Sequence, residues 1–273
     1  MPLSSALPTN TAVPPTWSIV ARPTLLFVAA YAFNSSPHEA THALVAYALG
    51  FNSTLFQMWV NPDAAAASPG DLAIIAASGP LFSLVVGTTC GFLYWSVYRN
   101  RPAGLFLLMM SLIGVYSFLG PVVGASFGGD FQAALEFINA PRSVRLAATA
   151  LGVVVLALWM FCMGEELTRW VPSQVDRSVN VLATTVAPWV LGVALVVLLY
   201  WPLPRSLLGS TLSGSAFWIF AVGGALYRTS AKPSHSVGFP MSWPDAIVLA
   251  SALCLVRILT QGIRIAHGGG SLL

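Results

Sequence analysis

Long apolar runs separated by short polar breaks set the pattern of this chain. The runs, about Thr24–Gly50, Leu72–Tyr98, Ala103–Val123, Val144–Met163, Val181–Tyr200, Leu207–Tyr227 and Ala246–Ile265, are each near the ~20 residues that a helix needs to cross a bilayer. The breaks carry turn-forming residues, as in Asn61-Pro62-Asp63, Ser68-Pro69-Gly70 and Arg99-Asn100-Arg101-Pro102. The pattern predicts an all-α, polytopic integral membrane bundle of about seven transmembrane helices. The polar stretch Asn52–Asp71 holds no Lys or Arg and reads as a loop or short hairpin over the motif described next. Residues 1–21, rich in Pro, Ser and Thr, read as a flexible tail without the charged start and apolar centre of a signal peptide.

The first run contains an anomaly. Asn34-Ser35-Ser36-Pro37 interrupts it and is followed by His38-Glu39-Ala40-Thr41-His42, an HExxH motif with apolar sequence on both sides. Serine favours a helix cap and proline a first turn, so a fresh helical turn is expected at a kink, with the histidines near its start. Residues four apart on a helix share a face, which aims both imidazoles at one point and makes His38 and His42 candidate metal ligands. Glu39 lies on the neighbouring edge, placed to take a proton from water as the general base of a hydrolysis. A carboxylate at membrane depth costs ~2.5–3.5 kcal/mol, which a dication would offset. The alternative is a histidine pair that caps, packs or bonds a carbonyl.

Composition supports the membrane reading. Hydrophobic residues make up 56% of the 273 and charged ones 8%, far below the roughly 25% of soluble domains, and no sizeable soluble domain is left over. The net charge of +3 is dispersed over short loops, which argues against a nucleic-acid partner. Cys90, Cys162 and Cys254 lie far apart without a CxxC spacing and read as small core residues. Glu165 and Glu166, beside Arg169 at a span end, read as solvated interface charge. Arg257, inside the last run, reads as a snorkelling side chain or a structural pair.

A third ligand is sought downstream. The segment Ala76-Ala77-Ser78-Gly79-Pro80-Leu81 offers small residues for close approach and a proline that loosens the backbone. Beyond Gly120-Pro121, Asp130 follows the pair Gly128-Gly129, which permits a tight turn that would swing its carboxylate toward a metal. Asp130 could instead cap a following helix over Phe131–Ile138, and Glu136, Glu165 or Glu166 could supply the ligand.

Taken together, HExxH in a membrane helix, a small-residue Gly-Pro segment and a glycine-associated Asp resemble the site-2 protease group of intramembrane zinc metalloproteases. The resemblance covers roughly Thr24 to Ile138. It implies Zn2+ held by His38, His42 and Asp130, with Glu39 as the catalytic group, and Gly79-Pro80-Leu81 packed beside the site. The chain departs from the group's common pattern: Ser83 stands where an Asn is usual three residues after Gly-Pro, Phe118 stands in another Asn position, and the acid comes nine residues after Pro121. Gly129-Asp130-Phe131 resembles an outlying bacterial branch. Composition marks 1–21 as a flexible tail, the resemblance implies a metalloprotease core of three membrane segments over 22–140, and the apolar runs give additional transmembrane helices over 141–273. The expected partners are the lipid bilayer and a membrane protein or peptide substrate, and the expected location is the bacterial inner membrane. The alternative function is a non-proteolytic membrane protein, a pseudoprotease scaffold or a metal carrier. With an inside N-terminus, Arg22, Arg99, Arg101, Arg169, Arg177, Arg228 and Lys232 fall on the cytoplasmic side, and Arg142, Arg145, Arg205 and Arg264 outside.

Overall fold

The structure, a computed structural model, describes residues 16–63, 65–171, 175–201, 208, 211–212, 214–227 and 243–266. Helices dominate: α1 (Thr16–Ala48), α2 (Pro69–Leu93), α3 (Gly104–Val123), α4 (Asp130–Phe137), α5 (Arg142–Leu167), α6 (Arg177–Val181), α7 (Val193–Leu199), α8 (Trp218–Tyr227) and α9 (Trp243–Leu259). Wider π turns over Leu182–Val186 and Pro188–Gly192 join α6 to α7. Four helical stretches, Pro69–Tyr98, Gly104–Ser126, Arg142–Trp170 and Arg177–Leu199, are long and apolar enough to cross a membrane. The expected total of about seven is not reached on length and apolarity among the described residues. Outward-facing Val85, Phe92, Leu151, Val154, Leu158 and Leu198 are exposed on three of these stretches, as suits helices surrounded by lipid.

α1 departs from expectation at both ends of its sequence reading. It starts at Thr16, inside the stretch read as a tail, and it runs through Pro37 without a fresh start. Pro37 removes one donor and clashes with the carbonyl one turn back, but one lost bond does not end a helix packed on several neighbours. Thr41 Oγ1 donates to the Pro37 carbonyl at 2.8 Å, and Ser36 Oγ caps nothing. The histidines therefore sit deep within a continuous helix. Near its N-terminal end Arg22 is 2% exposed and pairs with Asp245 of α9 at 2.9 Å, while its Nη2 donates to the Pro102 carbonyl at 3.0 Å. His38 lies roughly 24 Å further along, near the other end of the bundle.

The core fills the space between α1, α3, α5 and their neighbours with Leu26, Phe27, Leu108, Met109, Leu112, Leu156, Met160 and Trp218. α2 and α3 approach backbone to backbone, since a methyl group on Gly87 would stand 2.6 Å from the Val115 nitrogen. Glu166 corrects its sequence reading. It is 7% exposed, accepts from Arg99 Nε at 2.9 Å and Tyr94 Oη at 2.7 Å, and pairs with Arg169 at 2.8 Å. The cysteines are free, but Cys162 and Cys254 are exposed rather than core residues, and Cys90 is half-buried.

At the opposite end from Arg22, Asn52–Asp71 contains a hairpin of β1 (Asn52–Leu55) and β2 (Val60–Asp63). A third strand, β3 (Ile263–Ile265), pairs with the other edge of β1, giving an antiparallel sheet in the order β2-β1-β3. The apolar pattern predicts a helix to Ile265 in the last run. The helix instead ends at Leu259, and Gly262, at φ 76°, turns the chain into β3. Leu55, Val60 and Ile265 pack on Ala40, Ala43, Leu255 and Leu259. At 100° per residue, Ala40 and Ala43 lie roughly 120–180° round α1 from the histidine stripe, so the sheet flanks the motif rather than covering the imidazoles.

Candidate metal centre

The two imidazoles meet α2 where it has no side chain. One face of α2 carries Ile75, Gly79, Ser83, Gly87 and Gly91 at four-residue spacing, all buried. Its first half receives the rings and its second half receives α3. A methyl group on Gly79 would collide with His42 Nε2 and stand 2.6 Å from His38 Nε2, so only the missing side chain lets both rings pack against α2 here.

Each ring is held through its other nitrogen. His42 Nδ1 donates to the Ile75 carbonyl at 2.6 Å, and because a carbonyl only accepts, Nδ1 carries the proton and Nε2 keeps its lone pair for the site. Ser78 Oγ lies 3.3 Å from the same nitrogen and donates to the same carbonyl at 2.7 Å. His38 Nδ1 stands 2.9 Å from Ser83 Oγ, which leaves its Nε2 toward the same point. The ring centroids are 4.9 Å apart at 75°.

Asp130 completes the group. Gly128 and Gly129 have φ of 150° and 99°, and no side chain caps α4 from Gly129. The Asp130 carboxylate, 41% exposed, turns to the rings, with Oδ2 at 3.4 Å from His38 Nε2 and 3.6 Å from His42 Nε2. These separations are long for hydrogen bonds. They are close to the edge of a tetrahedron with bonds of 2.0–2.1 Å, which is about 3.4 Å. The three ligand atoms lie within 4.8 Å of one another, close enough to hold a metal ion. Asp130 lies outside the four apolar spans; desolvation raises its carboxyl, but the two imidazoles outweigh it and hold it well below the usual carboxylate range.

Glu39 is half-buried on the adjoining edge of α1, within electrostatic reach of His42 and Asp130, and no hydrogen bond to its carboxylate occurs among the described residues. A carboxylate so placed keeps its lone pairs for a proton. The other candidate third ligands stand elsewhere: Glu136 pairs with Arg145, Glu166 lies in its arginine cluster, and Glu165 is outside the His-His-Asp group. His235 and His267 lie outside the described residues. Sequence reasoning missed Ser83, Ser78 and the Ile75 carbonyl as supports for the rings. The signal was the four-residue recurrence of Gly79, Ser83, Gly87 and Gly91, which marks one flat face of α2. Comparison of the chain with protein-family models, curated proteins and solved structures gave no match.

Proposed function

We propose that the chain is an intramembrane zinc metallopeptidase that hydrolyses peptide bonds of membrane-embedded substrates. The observation that carries this reading is the convergence of His38 Nε2, His42 Nε2 and an Asp130 oxygen within 4.8 Å, with the otherwise unbonded Glu39 on the next edge of the same helix. Two neutral nitrogens and one carboxylate suit zinc, and Gly79 lets both imidazoles pack against α2 with no side chain between them. When bound, zinc supplies a Lewis acid that acidifies water and polarises a peptide carbonyl.

The chain's own groups do the rest. Glu39 removes a proton from the attacking water and delivers it to the leaving nitrogen as the carbon–nitrogen bond breaks. Ser83 and the Ile75 carbonyl keep the ring nitrogens turned inward. A helical substrate shields its peptide bonds with its own hydrogen bonds, so the scissile stretch has to unwind before it enters. Both edges of β1 are occupied, which leaves the outer edges of β2 and β3 for pairing with an extended peptide.

The test is cleavage of a model transmembrane peptide by purified protein of known metal content. Wild type cleaves and contains about one zinc per chain, whereas Glu39→Gln keeps the zinc and cleaves nothing. Zinc without cleavage in wild type would support the metal-carrier or scaffold reading, and full cleavage by Glu39→Gln would remove the assigned base.

A further inference from the structure

Asp130 reaches the imidazoles from a short helix that packs along α2 and is joined to α5 by a tight turn. Gly128 and Gly129 precede it in positive-φ conformations, and no heavy atom lies within 4 Å of a methyl group placed on Gly129. α4 lies along α2 with Ala134 buried, Glu136 exposed and its other side chains half-buried. A short helix on a two-glycine joint can tilt, and ligand distances tolerate only about 0.2 Å. Something must fix the tilt.

Two contacts are placed to do so. Phe131 meets Phe118 of α3 edge-on, with ring centroids 6.0 Å apart. Near the other end of α4, the Glu136 carboxylate accepts from Arg145 Nη1 of α5 and, at 2.7 Å, from Gln132 Nε2 one turn earlier on its own helix. Arg145 belongs to a long helix whose inner face is packed in the core, so it offers a fixed anchor.

We propose that Glu136 and Arg145 are positioning residues for the metal centre: their ion pair latches α4 to α5 and holds the Asp130 carboxylate at ligand distance from His38 and His42. The proposal rests on the metal-site reading above. Neither residue touches the metal or the reacting atoms, so its effect is exerted through Asp130. The pair explains why an exposed charge is spent on a short surface helix: with the far end fixed, the glycine joint needs only to turn, and it does not need to be rigid.

The experiment is titration of the metal-free full-length protein with Co2+, following its visible absorption, which reports ligand geometry without any turnover. Glu136→Gln and Arg145→Met should each weaken Co2+ binding about fivefold, the upper range for an exposed pair, and alter the spectrum. The swapped pair Glu136→Arg with Arg145→Glu should return to within about twofold of wild type, which simple loss of a surface contact would not produce. Wild-type affinity in both single variants, alongside clear weakening in Asp130→Asn, overturns the latch and leaves the metal site standing. Wild-type affinity in Asp130→Asn itself overturns both. Should Arg145→Met fail to fold, Glu136→Gln, which removes only the charge, decides alone.

Discussion

His38 and His42 each use one ring nitrogen for the protein and keep the other for the site. For His42 the partner is a backbone carbonyl, which no side-chain substitution removes; for His38 it is Ser83 Oγ, which one can. Ser83→Ala should therefore release the His38 ring and weaken zinc affinity by about tenfold, the lower range for loss of an outer-shell partner. A chelator competition would measure it, and unchanged affinity would show that packing alone orients the ring. Gly79→Ala acts differently, because its methyl group enters the space between the two Nε2 atoms. That variant should fold, since the change is one carbon, yet bind no metal at stoichiometric zinc by elemental analysis; metal retention there would place the ion elsewhere.

At the scale of elements, α2 is the shared wall of two contacts that ask for the same residue type. Its glycine at 79 admits the imidazoles and its glycine at 87 admits the backbone of α3, so small residues every four positions make room for the histidine rings in one half and for α3 in the other. Gly87→Val should lower the melting temperature by several degrees, as overpacking costs about 1–3 kcal/mol, while leaving the zinc stoichiometry of the folded fraction unchanged. A thermal unfolding curve in detergent, with metal content measured on the folded peak, checks both halves of that statement. The motif on α1 was legible in sequence because its geometry is local: two histidines four apart share a face whatever the rest of the chain does. Asp130 was legible more loosely, through the glycine pair that had to turn it. The continuity of α1 through Pro37 was not legible, since Ser36-Pro37 is a good helix start and only tertiary packing overrides it. Nor was the burial of Glu166, whose partner Arg99 comes from the turn after α2 and is close only once α2 and α5 are in place.

For the molecule as a whole, the two ends of the bundle differ. One gathers the Arg22–Asp245 pair, the Pro102 carbonyl and the Glu166 cluster with Arg99 and Arg169; the other holds the sheet, α4 and the His38–His42–Asp130 group. The first pair is buried on both sides, 2% and 5% exposed, so removing one partner strands a charge. Asp245→Asn should destabilise the protein by roughly 3 kcal/mol, near the lower bound for breaking such a pair. Denaturant or thermal unfolding in detergent would reveal it, and a change under 1 kcal/mol would mean that the remaining contacts of Arg22 suffice. If the arginine-rich end is cytoplasmic, as the charge bias expects, the His-His-Asp group faces the outer side. In a cysteine-free background, Asp63→Cys on β2 should then react with a membrane-impermeant thiol reagent added to intact cells, and Arg101→Cys should not. The reverse pattern would invert the protein in its membrane.

The sheet imposes an order on biosynthesis. Ser53 pairs with Ile265, so β1 lacks one neighbour until nearly every residue of the described chain has left the ribosome. A nascent protein in the translocon can insert its early helices and form the motif turn, but its hairpin must wait with one edge bare for the last strand to arrive. Stalling translation just before residue 263 should leave that hairpin open to protease in isolated ribosome–membrane complexes, and release of the full chain should close it.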